Sequence, residues 1–324
     1  MQSIEAYRKA FLDYLQEQNI SKEPMNLYSP VSYIMGLGGK RMRPILTLMG
    51  CHLFAPDFEK ALPAAMAVEV FHNFSLVHDD IMDDAPLRRG KKTVHEKWDI
   101  NTGILSGDVM LINAYQYLEG YNSDQLKNLL HLFSKTAVEV CEGQQFDVDF
   151  EQRTDVTIPE YLVMIANKTS VLVAAALQMG AIVGGASEEN QQRIYEFGKN
   201  LGIAFQLQDD YLDAFGDPES FGKQVGGDII ENKKTFLYLK ALEMGSSEAK
   251  NSLLNLFSIQ PEDSSSKVAL VKSIFEESGA KNAILAEVKK YTDLAFESLH
   301  KIEVNANKLK VFQLFGEQLM KRTV

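Results

Sequence analysis

The chain has 324 residues, 45% hydrophobic and 24% charged, with 44 acidic against 33 basic side chains and a formal net charge of −11. That balance is ordinary for a globular protein and argues against nucleic acid or an anionic membrane as a partner of the whole surface, so an anionic substrate must meet local basic clusters or a metal. Residues 1–15 lack a secretory-leader layout and the longest apolar run, Val171 to Gly185, is interrupted by Gln178 and too short to span a bilayer, so a cytosolic, non-membrane-spanning protein is expected.

The nine prolines leave residues 87–158, 160–217, 219–260 and 262–324 proline-free. Those stretches carry apolar residues at i, i+3, i+4 and i+7 and few alternating runs, which is the helical period. Phe11, Leu12 and Leu15 give an amphipathic first helix. Breaks are expected at 36–39, 56–57, 85–92, 121–124, 154–159, 184–189 and 216–227, where Gly, Pro and small polar residues gather. No repeat or low-complexity linker divides the chain. The expected fold is all-α, a single domain over 1–324 with about ten or more helices around one core, and the charged final third on its outside. Cys51 and Cys141 have no metal or redox spacing and are expected to be buried thiols in a reducing compartment.

The first chemical feature is Gly38-Gly39-Lys40-Arg41-Met42-Arg43-Pro44. Glycines end one helix and Pro44 suits the first turn of the next. Cations at a helix N-terminus oppose the macrodipole, so the arrangement favours a bound anion such as phosphate. The stretch from Phe71 to Gly90 follows. It begins apolar, turns acidic at Asp79, Asp80 and Asp83, and passes Pro86 into a basic loop with Arg88 and Arg89. Asp79 and Asp83 share a helix face and Asp80 lies about 100° round. Packed carboxylates repel; a hard cation relieves them, and Mg²⁺ takes one or two carboxylates plus substrate phosphates. The guanidinium forks of Arg88 and Arg89 suit phosphate oxygens.

Asn167-Lys168-Thr169-Ser170 interrupts an apolar helix pattern, so the Lys168 ammonium is expected to be partly buried with a partner. The acidic pattern then returns: Asp209, Asp210 and Asp213 repeat the i, i+1, i+4 spacing inside another apolar helix, three residues after Gln206. Facing each other, two such clusters would grip several Mg²⁺ ions and a diphosphate. Gly222-Lys223 and the run from Gly226 to Lys233 follow, with Lys234 expected in solvent.

With these two clusters and their basic flanks, the chain resembles the trans-isoprenyl diphosphate synthase (polyprenyl synthetase) family over residues 29–240, the clusters matching its first and second aspartate-rich motifs. The resemblance implies an isoprenoid-synthase-like bundle around a central cavity, acting as a homodimer. It implies head-to-tail condensation of isopentenyl diphosphate with an allylic diphosphate, using three Mg²⁺ ions. Lys40, Arg43, His72 and Arg89 would hold isopentenyl diphosphate. Arg88, Lys168, Thr169, Gln206, Lys223 and Lys233 would hold the allylic diphosphate, with Asp79, Asp83 and Asp209 as metal ligands and Asp80, Asp210 and Asp213 completing the clusters. By pattern alone His72 is an ordinary helix residue seven positions before Asp79; Arg41, His78 and His95 receive no role.

The resemblance also implies that Phe74, Ser75 and Phe71 set chain length. On a helical wheel Ser75 and Val68 share the Asp79 face, with Phe71 at its edge and Phe74 turned away. A small Ser75, a large Phe74 and a first motif without an insertion point to fifteen to twenty carbons, with geranylgeranyl diphosphate favoured. Two other readings stand beside this one. A class I terpene cyclase would carry an Asn/Asp-Ser/Thr-Glu motif in place of the second cluster. A non-catalytic subunit of a heteromeric synthase would lack one cluster or the basic set.

Overall fold

The computed structural model describes residues 1–18, 20–217 and 225–321. Among these residues the chain is all-α apart from one two-stranded hairpin. Residues 1–135 with 175–194 form one compact unit, and 136–174 with 195–324 form a second.

The first unit starts with α1 (Ile4–Glu17), whose Ser3 cap accepts from the Ala6 N–H, and α2 (Met25–Gly36). Next come α3 (Met42–Phe54) and α4 (Leu62–Met82). The first half of α4 is buried all round, Ala64 to Phe71, so neighbours must cover every side of it. Gly50 of α3 and Gly180 make backbone contact possible: a Cβ on Gly50 would strike the Leu177 carbonyl, and one on Gly180 the Thr47 carbonyl.

Residues 85–92, expected as a loop, contain a hairpin of β1 (Leu87–Arg88) and β2 (Lys91–Lys92), with Arg88 opposite Lys91. Its turn residues Arg89 and Gly90 have φ of +54° and +73°. Positive φ at both central positions marks the turn type whose twist matches paired strands. Short α5 (Val94–Lys97) and α6 (Ile100–Gln116) follow, α6 packing along α4. The long α7 (Ser123–Gln152) begins in this unit, where Phe133 meets Phe71 and Tyr115 edge-on, 5.3 and 4.9 Å between centroids.

In the second unit α8 (Ile158–Ile165) opens on a capping box between Thr157 and Glu160. It runs without a break through a π-helical turn, Ala166–Ser170, into α9 (Val171–Val183). This continuous helix is long and apolar enough to cross a membrane by composition, a length hidden in the sequence by Asn167 and Lys168. Of its most apolar window, 61% is buried inside the protein, as in a core helix. The remaining helices are α10 (Glu188–Phe215), α11 (Gly227–Ile230), α12 (Phe236–Met244), α13 (Ser247–Leu256), α14 (Ser265–Glu277), α15 (Ala280–His300) and α16 (Ala306–Met320). Leu207, Tyr211 and Leu212 of α10 meet Phe236 and Leu237 of α12 and Phe275 of α14 in this unit's core.

One thiol departs from expectation. Cys51 is buried, but Cys141 is exposed, because it shares the outward face of α7 with Val138 and Gln145 while Val140, Gly143 and Gln144 turn inward.

Candidate active site

The first aspartate cluster closes α4. Asp79 is half-buried, Asp83 is exposed, and Asp80 is fully buried. Asp80 is gripped by Arg88: Nε lies 2.7 and 2.9 Å from its two carboxylate oxygens and Nη2 2.5 Å from Oδ1. The hairpin that carries Arg88 is therefore tied to the helix end by a bidentate pair. Asp83 is the C-cap residue, and Asp84 follows with φ +48°. Carboxylates at a helix C-terminus oppose the macrodipole, which adds to their mutual repulsion and to the demand for a cation.

Beside this cluster the structure gathers a basic set from three elements. Arg89 donates to the Gly38 carbonyl, and its guanidinium occupies the place a Cβ on Gly39 would need, 2.8 Å from Cζ; Gly39 has φ +115°. Arg43 Nη1 lies 3.1 Å from His72 Nε2. The guanidinium can only donate, so Nε2 accepts and the ring proton sits on Nδ1. Burial, then Arg43, Arg89, Arg88 and Arg41, hold the His72 pKa well below 6.5, and the ring is neutral at neutral pH. Burial, partly offset by Glu69 and reinforced by Arg89, likewise lowers the pKa of Arg43. Lys40 is exposed at the edge of this set. Arg41 turns away: it is buried, pairs with Glu69 and donates to the Met35 carbonyl, and its backbone is left-handed at φ +50°. It anchors the loop from below.

The second cluster closes α10 in the other unit. Asp209 and Asp213 are half-buried on one face, and Asp210 is buried. Asp210 accepts a hydrogen bond from the Tyr161 hydroxyl. Burial, then the charges of Asp228 and Asp209, push its pKa well above the usual carboxylate range, against the Tyr161 and Gln206 hydrogen bonds. Asp213 receives the Asp228 N–H at 3.1 Å, which seats the start of α11 on the cluster.

Lys168 stands in the π turn and pairs with Asp147 of α7 at 2.5 Å; Thr169 beside it is half-buried. The widened turn closes with the Val171 N–H on the Ala166 carbonyl, five residues back. Two glycines let neighbouring helices reach it. A Cβ on Gly143 would fall on the Lys168 nitrogen, and one on Gly202 would fall 2.8 Å from Ser170 Cβ. Lys233 Nζ lies 2.7 Å from Glu231 and 3.8 Å from Asp228. Lys223 lies outside the described residues. Lys234, expected in solvent, instead donates to three carbonyls, those of Phe150, Glu151 and Arg153.

Asp147, Tyr161 and Asp228 were not predicted from sequence. Gly143, one turn before Asp147 inside a long helix, was the available signal: a mid-helix glycine costs about 1 kcal/mol and marks a close approach. Tyr161 and Asp228 carried none.

Of the chain-length residues, Phe71 is fully buried and Phe74 nearly so, their rings 5.5 Å apart. Phe74 also meets His78 at 4.8 Å. Ser75 is half-buried and donates to the His72 carbonyl at 2.9 Å.

Among the described residues no three His, Cys, Asp or Glu side chains converge to hold a metal by themselves. The donors are instead hard carboxylate oxygens at two helix C-termini, which fits Mg²⁺ whose shell is completed by phosphate and water.

Comparison with known proteins gives the following likenesses. The polyprenyl synthetase family model matches residues 24–277. A crystal structure of a geranylgeranyl pyrophosphate synthase superimposes with a TM-score of 0.95 and 52% identity over 100% of both chains. A short chain isoprenyl diphosphate synthase of Methanothermobacter thermautotrophicus is 37% identical over 304 residues, 94% of this chain and 93% of its own. A geranylfarnesyl diphosphate synthase of Natronomonas pharaonis is 38% identical over 261 residues, 75% of this chain and 76% of its own.

Proposed function

The chain belongs to the polyprenyl synthetase family, and from that premise we propose that it condenses isopentenyl diphosphate head to tail with an allylic diphosphate, releasing geranylgeranyl diphosphate as its main product. It is a trans-prenyltransferase of the short-chain class. The observation that carries the residue assignments is the repeated cluster: two helix C-termini, each with an outer Asp pair on one face and a buried middle Asp, each flanked by cations. The two units act as one catalytic domain in this reading.

Lys40, Arg43, Arg89 and the Nδ1–H of neutral His72 bind isopentenyl diphosphate. Arg88, Lys168, Lys233 and Lys223 bind the allylic diphosphate. These cations stabilise negative charge as it grows on the departing diphosphate, which lowers the barrier to ionisation. Asp79, Asp83 and Asp209 would be among the ligands of three Mg²⁺ ions, which when bound would supply further positive charge at that diphosphate. Thr169 and the amide oxygen of Gln206 face the developing carbocation, the Gln206 N–H being engaged by Asp210. The double bond of isopentenyl diphosphate attacks the allylic carbon, and the proton leaves carbon two for the released diphosphate. The chain therefore needs no protein base.

Homodimerisation is supported by α6, where Ile104, Leu105 and Ile112 expose 42%, 58% and 58% of their surfaces on one face. A cytoplasmic location fits the composition.

Purified protein given labelled isopentenyl diphosphate, farnesyl diphosphate and Mg²⁺ should yield a chain-extended diphosphate by chromatography. Cyclic hydrocarbon would mean a cyclase, and no turnover alone would mean a subunit. Ser75→Phe should shorten the product and Phe74→Ala should lengthen it. Unchanged product in both, with activity retained, would assign the control of chain length to other residues such as Met110 and Ala114.

A further inference from the structure

We propose that Lys234 and Lys267 are positioning residues for Lys233: two ammonium groups that pin the loop from Glu231 to Thr235 on either side and so fix where the Lys233 ammonium stands. The inference rests on the reading of Lys233 as a ligand of the allylic diphosphate. Lys234 Nζ lies 2.8, 2.9 and 2.5 Å from the carbonyls of Phe150, Glu151 and Arg153. Phe150 and Glu151 belong to the last turn of α7, whose carbonyls have no partner within the helix and carry the negative end of its dipole. Lys234 caps that helix from another part of the chain.

Lys267 approaches from α14 and is 2% exposed. Its Nζ lies 2.5 Å from Asn232 Oδ1 and 3.0 Å from the Ile259 carbonyl, with the Phe257 ring centroid at 5.7 Å. No carboxylate pairs with it among the described residues. An ammonium buried among neutral acceptors is costly, and burial lowers the pKa of both lysines. Among the described residues neither makes a hydrogen bond to a substrate-binding residue, so their cost is explained by what they hold.

What they hold is the short connection between α11 and α12. Asn232 is left-handed at φ +58°, the Lys233 N–H bonds the Asp228 carbonyl at 2.9 Å, and the Thr235 N–H bonds the Lys233 carbonyl at 3.0 Å. The Lys233 side chain is 56% exposed, and its ion pairs among the described residues are with Glu231 beside it and Asp228 of α11. Its place is thus set by its neighbours in the chain, Asn232 before it and Lys234 after it. Lys267 clamps the first of these, and Lys234 is itself the second clamp.

The test is a double-mutant cycle on the full-length enzyme with farnesyl diphosphate and isopentenyl diphosphate. Lys234→Met keeps the aliphatic stem and removes the donor. It should raise the farnesyl diphosphate KM about tenfold while the isopentenyl diphosphate KM stays within about twofold, since misplacing a binding group costs roughly that much. Lys234→Arg, which can still donate to carbonyls, should recover most of the loss. Adding Lys234→Met to Lys233→Met should cost little more than Lys233→Met alone, because a residue acting through another is not additive with it. Asn232→Gly tolerates the left-handed backbone and removes one of the two acceptors of Lys267. It should raise the same KM, and it asks the same question if Lys234→Met does not fold. A drop in melting temperature with both KM values unchanged would overturn the proposal, as would independent, multiplying effects in the cycle. If Lys233→Met itself left the farnesyl diphosphate KM unchanged, the reading of Lys233 would fall first and the proposal with it.

Discussion

Asp80 and Asp210 stand at the same position in two clusters of identical spacing, and their surroundings are opposite. Asp80 is buried against a guanidinium that meets both its oxygens. Asp210 is buried against a phenol, with Asp209 and Asp228 nearby, and is driven toward its protonated form. The first arrangement is an ion pair that binds a hairpin to a helix. The second is a hydrogen bond from a phenol that ties α10 to α8. Burial of the middle residue is common to both and leaves the outer pair as the chemical face of each cluster. The way that burial is satisfied differs, and it predicts different responses to the same substitution.

The largest effect should fall on what the clusters share. Asp79→Ala and Asp209→Ala should each lower kcat by about a thousandfold or more, with helical circular dichroism intact, because in the proposed reading each removes a ligand for the cations at the leaving group. Chelation of divalent metal should abolish turnover in the unaltered enzyme. Robust activity in excess chelator would break the parallel between the clusters.

The contrast itself is read by stability. Asp80→Asn leaves the Arg88 charge without its partner and should cost about 2 kcal/mol in urea unfolding; the value lies below that of a fully buried pair because Arg88 reaches solvent. Asp210→Asn keeps an acceptor for the Tyr161 hydroxyl and removes a charge that burial, Asp228 and Asp209 disfavour, and should cost less than about 1 kcal/mol. Equal losses would show that the partners of Asp80 and Asp210 matter less than their burial.

A smaller effect sharpens the difference between the basic flanks. His72 lies among arginines in the first unit, and its folded pKa is below the ordinary 6.5. The unfolded chain therefore takes up the proton first. This contribution to stability is complete above about pH 6.5 and is lost as pH falls through the depressed folded value. Melting temperature should decline by roughly a few degrees across that acid limb, and His72→Gln should flatten this part of the profile.

Both clusters and the main helix breaks between residues 36 and 227 were legible because they are local, whereas the junctions after α1, between α5 and α6 and from α11 onward were not marked. An i, i+1, i+4 carboxylate pattern in an apolar helix carries its geometry with it, and so do glycine and proline breaks. Partners were not legible, because they depend on which backbone approaches which. Nothing near Lys234 in the chain announces the end of α7, eighty residues away, as its acceptor. The Arg88 hairpin was hidden for a related reason: its turn uses Arg89 at positive φ where Asn or Gly is the usual signal. Lys168 lay between these extremes. Its need for a partner was readable, and the identity of Asp147 was not.

The π turn at Ala166–Ser170 has a consequence for chain length in a different sense. It stores one surplus residue inside a helix that otherwise runs unbroken from Ile158 to Val183. Removing Asn167 would let the turn tighten into an ordinary α-helical one, with Tyr161 upstream and Leu172 downstream keeping their present neighbours. Adding a residue has no such outlet and would rotate one half by about 100° against its packing. The helix should thus tolerate a deletion at this point and not an insertion. Thermal unfolding of the two variants would show it: a near-normal melt for the shorter chain, inactive because Lys168 is re-aimed, and a collapsed one for the longer.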